Sequence, residues 1–501
     1  MLDSVFPELS HNAVRILEKR YLRKNEMGKI VETPDDMFKR VASNVASINS
    51  QYNDRRTVEG ESAEFCKIMR NLEFLPNSPA LMNAGTEIQQ LAACFVIPVG
   101  DSIESIYDAV KYAAIIHQSG GGTGFSFSNL RPEGDLVKST GGIASGPVSF
   151  MKVFDAATEA IKQGGRRRGA SMGVLRADHP DIEKFIHSKE DLSSLSNFNI
   201  SVSVTDEFMM MAQQGLEYDL INPRSGETVG RMNASEVLDD ICEMAHKTGD
   251  PGLIFIDEVN RNNPTPLLGR IETTNPCGEV PLLPYEACNL GSINLDRITE
   301  KANGGYRLDW ERLRELVDVG IRFLDNVIDA SHYPLPQTEE IVKMNRKIGL
   351  GIMGYADALI KLGIPYGSDE ALAFAERIIA IMKEEADRTS RQIGKDRGDF
   401  PNIGQSVLVS PRRNATVLSI APTGTISMIA GCSSGIEPLY AISYVKHVLD
   451  GEHLLEMNAE FIRVAKERKF YNEELMRTLS TRQSIQKLEN LPEDVRNVFL
   501  T

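Results

Sequence analysis

The sequence predicts an α/β fold with a largely parallel sheet behind a helical leader, and three observations predict it. Short β-rich segments alternate with helical ones from about residue 66 to about residue 440, the order left by strands joined through helical crossovers. Residues 1–65 instead carry apolar positions at three- and four-residue spacing, the mark of amphipathic helices. The 501 residues are 42% hydrophobic. That is enough for a large core, and an α/β barrel can absorb most of such a length as one unit.

In chain order, "SHNAVRILEKRYL" and "DDMFKRVASNVASINSQY" are the leader's helices. "AACFVIPVG" (92–100) reads as a buried strand ending in a turn, and "SIESIYDAVKYAAIIHQS" (102–119) as the helix after it, with Asp101 at its N-cap. The later β-rich segments are "GGGTGFSFSNL", "MGVLRADHP", "NFNISVSVTD", "GLIFIDEVN" and "ATVLSIAPTG"; "SEVLDDICEMAHKTG" and "LRELVDVGIRFLDNVID" are helical. From about 441 the chain is charged and helical again. The sequence therefore divides into a helical region (1–65), an α/β body (66–440) and a C-terminal helical segment (441–501), with no solenoid repeat and no Pro- or Ser-rich linker between them.

Composition narrows the function. A net charge of −15 disfavours sequence-independent nucleic-acid binding, which rests on Lys and Arg neutralising phosphates. Six cysteines (Cys66, Cys94, Cys242, Cys277, Cys288 and Cys432) are too few and too scattered for a disulfide scaffold. The N-terminus has no apolar h-region, and no run of about 18 apolar residues suggests a membrane span. These features predict a reduced, cytoplasmic, globular protein with neither nucleic acid nor membrane as partner.

The chemistry concentrates in "TTNPCGEVPLLPYEACNLGS", residues 273–292. In an extended chain Asn275, Cys277 and Glu279 would share one face. Two readings stand. One is catalytic: a sulfur to react, a carboxylate as base and an amide to hold a hydroxyl. The other is a buried cysteine acting as a small hydrophobe. Glu279 would raise the pKa of a neighbouring thiol, so a thiolate nucleophile is disfavoured. The spacing to Cys288 is not that of zinc ligands. Glu243 and His246 form one Glu-x-x-His pair, whereas a di-iron bundle needs two; no metal ligands are assigned. A thiol that reacts without ionising points to radical chemistry.

"NPCGE" followed by "EACNLGS" resembles the large catalytic chain of ribonucleotide reductases, and the Pro–Cys–Gly form resembles the adenosylcobalamin-dependent class II branch. "PNSPALMNAG" (76–85), "ACFVIPVGDSIESI" (93–106), "GGGTGFSFSNLRPEG" (120–134), "KQGGRRRGASMG" (162–173), "DPGLIFIDEVNR" (250–261), "RKIGLGIMGYADAL" (346–359) and "APTGTIS" (421–427) resemble family blocks in family order. The resemblance implies a ten-stranded α/β barrel of two five-stranded halves. It implies that Cys277 becomes the thiyl radical taking the ribose 3′ hydrogen. Glu279 would act on the 3′ hydroxyl, Asn275 would bind the sugar, and Cys94 with Cys288 would be the reducing pair that ends as a disulfide.

Further roles are implied only by the resemblance. Ser78, Ala93 and Gly121 would face the substrate, and Thr423, Gly424, Thr425 and Ile426 would form its phosphate turn. Asp101, Ser102, Ile103 and Arg131 would bind a deoxynucleoside triphosphate effector, with Lys162, Gln163 and Arg167 sensing the base. His117 stands where a relative carries Lys, so it receives no phosphate role. Adenosylcobalamin, a ribonucleotide, an external thiol reductant and a homodimer contact at the effector site complete the implied set. No ATP-cone-like region precedes residue 60, so on/off control by dATP through one is not expected. The family's final barrel strands, Cys-bearing tail and tyrosine pair are not found before Thr501. The expectation is therefore a fragment, a split protein whose barrel a second chain completes, or a divergent form that closes differently. Two other readings are a class I large subunit whose radical comes from a partner, and a non-catalytic nucleotide-binding chain.

Overall fold

The computed structural model describes residues 8–52, 56–137, 141–162, 169–302, 304–448, 452–480, 484–488 and 491–501. The leader folds as its spacing requires. Helix α1 (Pro34–Ala46) begins at a capping box: Thr33 accepts from the Asp36 N–H, the Asp36 carboxylate answers the Thr33 N–H, and Pro34 sits where no helical N–H is needed. It buries Met37, Phe38, Val41, Ala42 and Val45 against α2 (Val58–Arg70). Phe65 of α2 and Phe74 both meet Phe323 edge-on, with ring centroids 5.1 and 5.4 Å apart. Phe323 lies on the long helix Trp310–Ala330, so the leader shares one core with the body.

The body is a curled sheet of eight strands: β1 (Phe74–Pro76), β2 (Cys94–Val96), β3 (Gly122–Ser126), β4 (Ser171–Arg176), β5 (Phe198–Val204), β6 (Gly252–Phe255), β7 (Ala287–Asn294) and β8 (Ile348–Met353). Strands β2 to β6 run parallel in sequence order, with helical crossovers that include α3 (Ile103–Gln118) and α4 (Gly146–Lys162). This is one five-stranded half of the expected architecture. Strand β7 then enters antiparallel to β2 and to β1, and β8 lies parallel to β7 as the start of a second set.

Four expectations are corrected in detail. The segment from about 441 is not helical from its start: Ser443–Val448 and Glu452–Met457 pair as antiparallel strands before its first helix. Asp101 does not cap α3. Ser102 does, accepting from the Ser105 N–H at 3.1 Å, because the Asp101 carboxylate is taken by the Arg131 guanidinium at 2.8 Å. "ATVLSIAPTG" forms no regular strand. It runs beside β8 with one bridge, Leu350 to Leu418, and its register slips where Ile348 and Leu350 donate to the consecutive carbonyls of Thr416 and Val417. Residues 275–279 are not extended either. They make a tight turn closed by Gly278 N–H to the Asn275 carbonyl at 3.1 Å, with Pro276 second and Gly278 at φ +88°.

The C-terminal segment packs its own smaller core. Phe461, Leu475, Leu479, Ile485, Val495 and Phe499 join Ala356 and Ile360 of the body. No helix among the described residues is long and apolar enough to cross a membrane.

Candidate functional site

The antiparallel seam between β2 and β7 places Cys94 opposite Cys288 in register. Residues far apart in sequence thus become cross-strand neighbours, and both are thiols. Beside the seam lies a cavity of about 310 Å³. Asn275, Cys277, Glu279 and Cys94 line it, as do Ser78, Ala93, Gly121, Thr423, Gly424, Thr425 and Ile426. Every substrate-facing and catalytic residue singled out in the sequence therefore meets at one cavity except Cys288, which sits behind Cys94 and is buried. Burial pushes the Cys288 thiol up, far from ionisation at neutral pH.

The turn bearing Cys277 is seated by glycines. On β3, a Cβ at Gly122 would come within 2.7 Å of the Pro276 ring, and one at Gly124 within 1.7 Å of the Thr274 carbonyl oxygen. The loop lies directly on bare backbone. Asn199 Nδ2 donates to the Pro276 carbonyl at 2.7 Å, and Ser419 Oγ donates to the Glu279 carbonyl at 3.0 Å. These two side chains anchor the turn at both ends. Sequence reasoning missed both, although an amide in the otherwise apolar and hydroxyl-bearing β5 was a signal.

Asn275 is the pivot. Its Oδ1 accepts from the Val280 N–H at 2.9 Å, which fixes the amide's orientation. Its Nδ2 then donates to Glu279 Oε2 at 2.6 Å and to Cys94 Sγ at 3.2 Å. One buried amide thus joins the carboxylate to the thiol of the pair. Cys277 stands exposed at the turn's tip. The cavity wall also includes Asn77, Ala170, Leu290, Ser292 and Pro422, which carried no sequence signal of their own. Ser78 Oγ meets Tyr21 OH at 2.7 Å, so the leader buttresses the cavity.

The turn at 421–427 has Thr423 at φ +57°, its Oγ1 accepting from the Gly435 N–H at 2.8 Å. Gly121 lines the cavity, and a side chain there would strike Phe95 and Ile116, within 2.7 Å. The implied effector residues Asp101, Ser102, Ile103 and Arg131 also come together, at the start of α3. Arg131 is there bonded through Nε and its backbone N–H to Asp101. Ile103 is exposed. Lys162 ends α4, whereas Gln163 and Arg167 lie outside the described residues. His117 is a core histidine, buried and bonded through Nε2 to Thr123 Oγ1 at 2.9 Å. Glu243 and His246 stand exposed on the helix Ala234–Thr248.

Comparison with known proteins agrees with this geometry. A family model described as the barrel domain of ribonucleotide reductase matches residues 92–410 and 402–501, and one described as its all-alpha domain matches residues 7–89. The vitamin B12-dependent ribonucleoside-diphosphate reductase of Thermoplasma acidophilum is 47% identical over 552 residues, covering 99% of this chain and 71% of that protein. Its namesake in Mycobacterium tuberculosis is 49% identical over 500 residues, with shares of 99% and 71%. The ribonucleoside-diphosphate reductase subunit alpha of Chlamydia pneumoniae is 28% identical over 570 residues, with shares of 99% and 54%.

Proposed function

Because the chain belongs to the ribonucleotide reductase large-chain family, we propose that it reduces ribonucleoside diphosphates to deoxyribonucleotides by thiyl-radical chemistry at the cavity beside Cys277. The observation that carries this reading is the convergence of Cys277, Glu279 and Asn275 with Cys94 on one cavity, with Cys288 in register behind.

The roles follow from the chemistry of each group. The Cys277 thiol, once it has lost a hydrogen atom, removes the 3′ hydrogen of the ribose. Glu279 accepts the proton of the 3′ hydroxyl. Asn275, whose amide is already aimed at Glu279, keeps that carboxylate in line and bonds the sugar hydroxyls. Cys94 and Cys288 supply two electrons and two protons as the 2′ hydroxyl leaves as water, and finish as a disulfide. An external thiol restores them. Ser78, Ala93, Gly121 and the turn Thr423–Ile426 bind the nucleotide.

The proposed cofactor is adenosylcobalamin, the group in the names of the relatives at 47% and 49% identity. The site fits it: Cys277 and Gly278 are exposed at the tip of the turn and would meet that group. When bound, it supplies homolytic cobalt–carbon chemistry, the source of the unpaired electron. The class I alternative would take that electron from a partner chain.

The proposal extends to a deoxynucleoside triphosphate effector at Asp101, Ser102, Ile103 and Arg131, read out through Lys162, Gln163 and Arg167. It includes a homodimer contact there and a cytoplasmic location. It also keeps the three-part division at 1–65, 66–440 and 441–501; the smaller hydrophobic cluster built largely from C-terminal residues supports the last part.

The test is anaerobic incubation with adenosylcobalamin, ribonucleoside diphosphates, a deoxynucleoside triphosphate and dithiothreitol. Deoxynucleotide product is expected. No product together with no cobalamin binding would refute the class II reading and turn attention to a partner-supplied radical.

A further inference from the structure

The two cysteines of the seam are not equivalent. Cys94 lines the cavity and Cys288 does not. Behind Cys288 lies an ion pair that the roles above leave unused. Lys347 Nζ is 2.6 Å from Glu286 Oε2, with the two side chains only 3% and 1% exposed. Glu286 is held further by Asn345 Nδ2 at 2.6 Å and by the Leu283 N–H at 2.7 Å.

Register brings this pair to the thiol. Strands β7 and β8 are parallel, with Asn289 opposite Ile348. Cys288 and Lys347 each directly precede that first pair, and the Lys347 ammonium acts electrostatically on the Cys288 thiol. Glu286 lies in the turn just before β7, two residues from Cys288, and its carboxylate acts on the same thiol. A buried ammonium with a buried carboxylate is an expensive arrangement, often no more stabilising than apolar residues of the same volume. Its place against one particular cysteine therefore calls for a chemical reason.

We propose that Lys347, held by Glu286, is a positioning residue for re-reduction of the Cys94–Cys288 disulfide: an external dithiol attacks Cys94 from the cavity, and Cys288 leaves as a thiolate beside the Lys347 ammonium. The inference rests on the reading of these cysteines as the reducing pair. The step balances. A thiolate of the dithiol forms a bond to Cys94 Sγ as the Cys94–Cys288 bond breaks, and Cys288 carries away the electron pair. That thiolate takes the proton of the dithiol's second thiol. The second sulfur then attacks the first, releasing Cys94 as a thiolate and a cyclic disulfide, and Cys94 takes the proton lost at the start. The dithiol is oxidised and the protein disulfide reduced.

A leaving thiolate departs faster the lower its pKa. At Cys288 burial works against departure; Lys347 opposes that burial, while Glu279 and Glu286 act with it. Tyr333 interacts electrostatically with the same thiol. Lys347 is thus the cationic influence on the buried leaving group.

The test needs no ribonucleotide turnover. The purified chain is oxidised with diamide, the Cys94–Cys288 disulfide is confirmed by peptide mass spectrometry, and its reduction by dithiothreitol is timed across pH. Lys347→Met should slow reduction at neutral pH by about tenfold and move the pH profile, while Lys347→Arg keeps the rate within about threefold. The double variant Glu286→Gln/Lys347→Met removes the whole pair, so no buried carboxylate is stranded; it should be slow as well. A wild-type rate in the double variant overturns the proposal. The point of attack is read separately with an aromatic disulfide reagent. Cys94 in the Cys288→Ser chain should react at least about tenfold faster than Cys288 in the Cys94→Ser chain, and the reverse order overturns the proposal. Failure of the disulfide to form at all is a distinct result: it removes the reducing-pair reading itself, and the role of Lys347 with it.

Discussion

Gly124→Ala tests whether the radical-bearing turn is positioned by bare backbone. The added Cβ would stand 1.7 Å from the Thr274 carbonyl oxygen and 2.8 Å from its carbon. Thr274 must therefore retreat by about 1.3 Å to reach even the 3.0 Å below which real contacts essentially never fall. Thr274 is two residues before Pro276 and adjoins Asn275, and the obstacle is rigid backbone on both sides. Overpacking of this kind costs about 1–3 kcal/mol of stability, which a protein of this size survives. A displacement of about 1 Å in a catalytic group costs about 100-fold in turnover. The expected result is a folded protein, its thermal midpoint lowered by a few degrees, whose kcat falls about 100-fold while nucleotide binding persists. Gly122→Ala is the graded control, because its Cβ meets the Pro276 ring at 2.7 Å and a ring edge yields more easily than a carbonyl. The assay is deoxynucleotide formation under anaerobic conditions beside calorimetry. Gly124→Ala with wild-type turnover would refute the claim that the sheet sets the position of the turn.

Three further outcomes are expected. Cys277→Ser abolishes product even with dithiothreitol present, whereas Cys288→Ser still exchanges the ribose 3′ hydrogen and loses normal turnover; tritium release from 3′-labelled substrate separates the two. Burial, and after it the neighbouring Asp296, push the Asp357 carboxyl up to about 6. The folded state then holds that proton more tightly than the unfolded chain, so stability falls by up to about 3 kcal/mol as pH rises from about 4 to about 6. Denaturation of Asp357→Asn across that range should lose this slope, and an unchanged slope would count against it. Arg346→Met takes from buried Asp325 and from Asp329 the guanidinium that now meets them at 2.9 and 2.8 Å, leaving Arg413 at 3.3 Å from Asp325 and the Tyr52 hydroxyl at 2.9 Å from Asp329; a loss of about 3–5 kcal/mol is expected in urea unfolding, and a loss below about 1 kcal/mol would show that Arg413 and Tyr52 suffice.

What could be read in the sequence was what repeats locally or travels as a block. The capping box at Thr33 and the apolar face of α1 are local, and they appear where the spacing put them. The pairing of Cys94 with Cys288 spans the body of the chain, and no periodicity reveals it; it was legible only through the family blocks around each cysteine, whose residues β2 and β7 set opposite one another. Local reasoning failed where a stronger partner lay far off. Asp101 has a residue type and position suited to capping α3, but a charged guanidinium from residue 131 outcompetes a helix N–H for its carboxylate. Period-two reasoning placed Asn275, Cys277 and Glu279 on one face for the wrong reason. Pro276 and Gly278 turn the chain, and the three side chains line one cavity because their own segment folds into a tight turn, not because a strand alternates. The anchors Asn199 and Ser419 are invisible for the same cause, since what they hold is the carbonyl of a distant residue. The chemistry of this site is written in residue types, which sequence displays. Its geometry is written in backbone contacts between distant segments, such as Gly124 beneath Thr274, and those exist only once the sheet has curled.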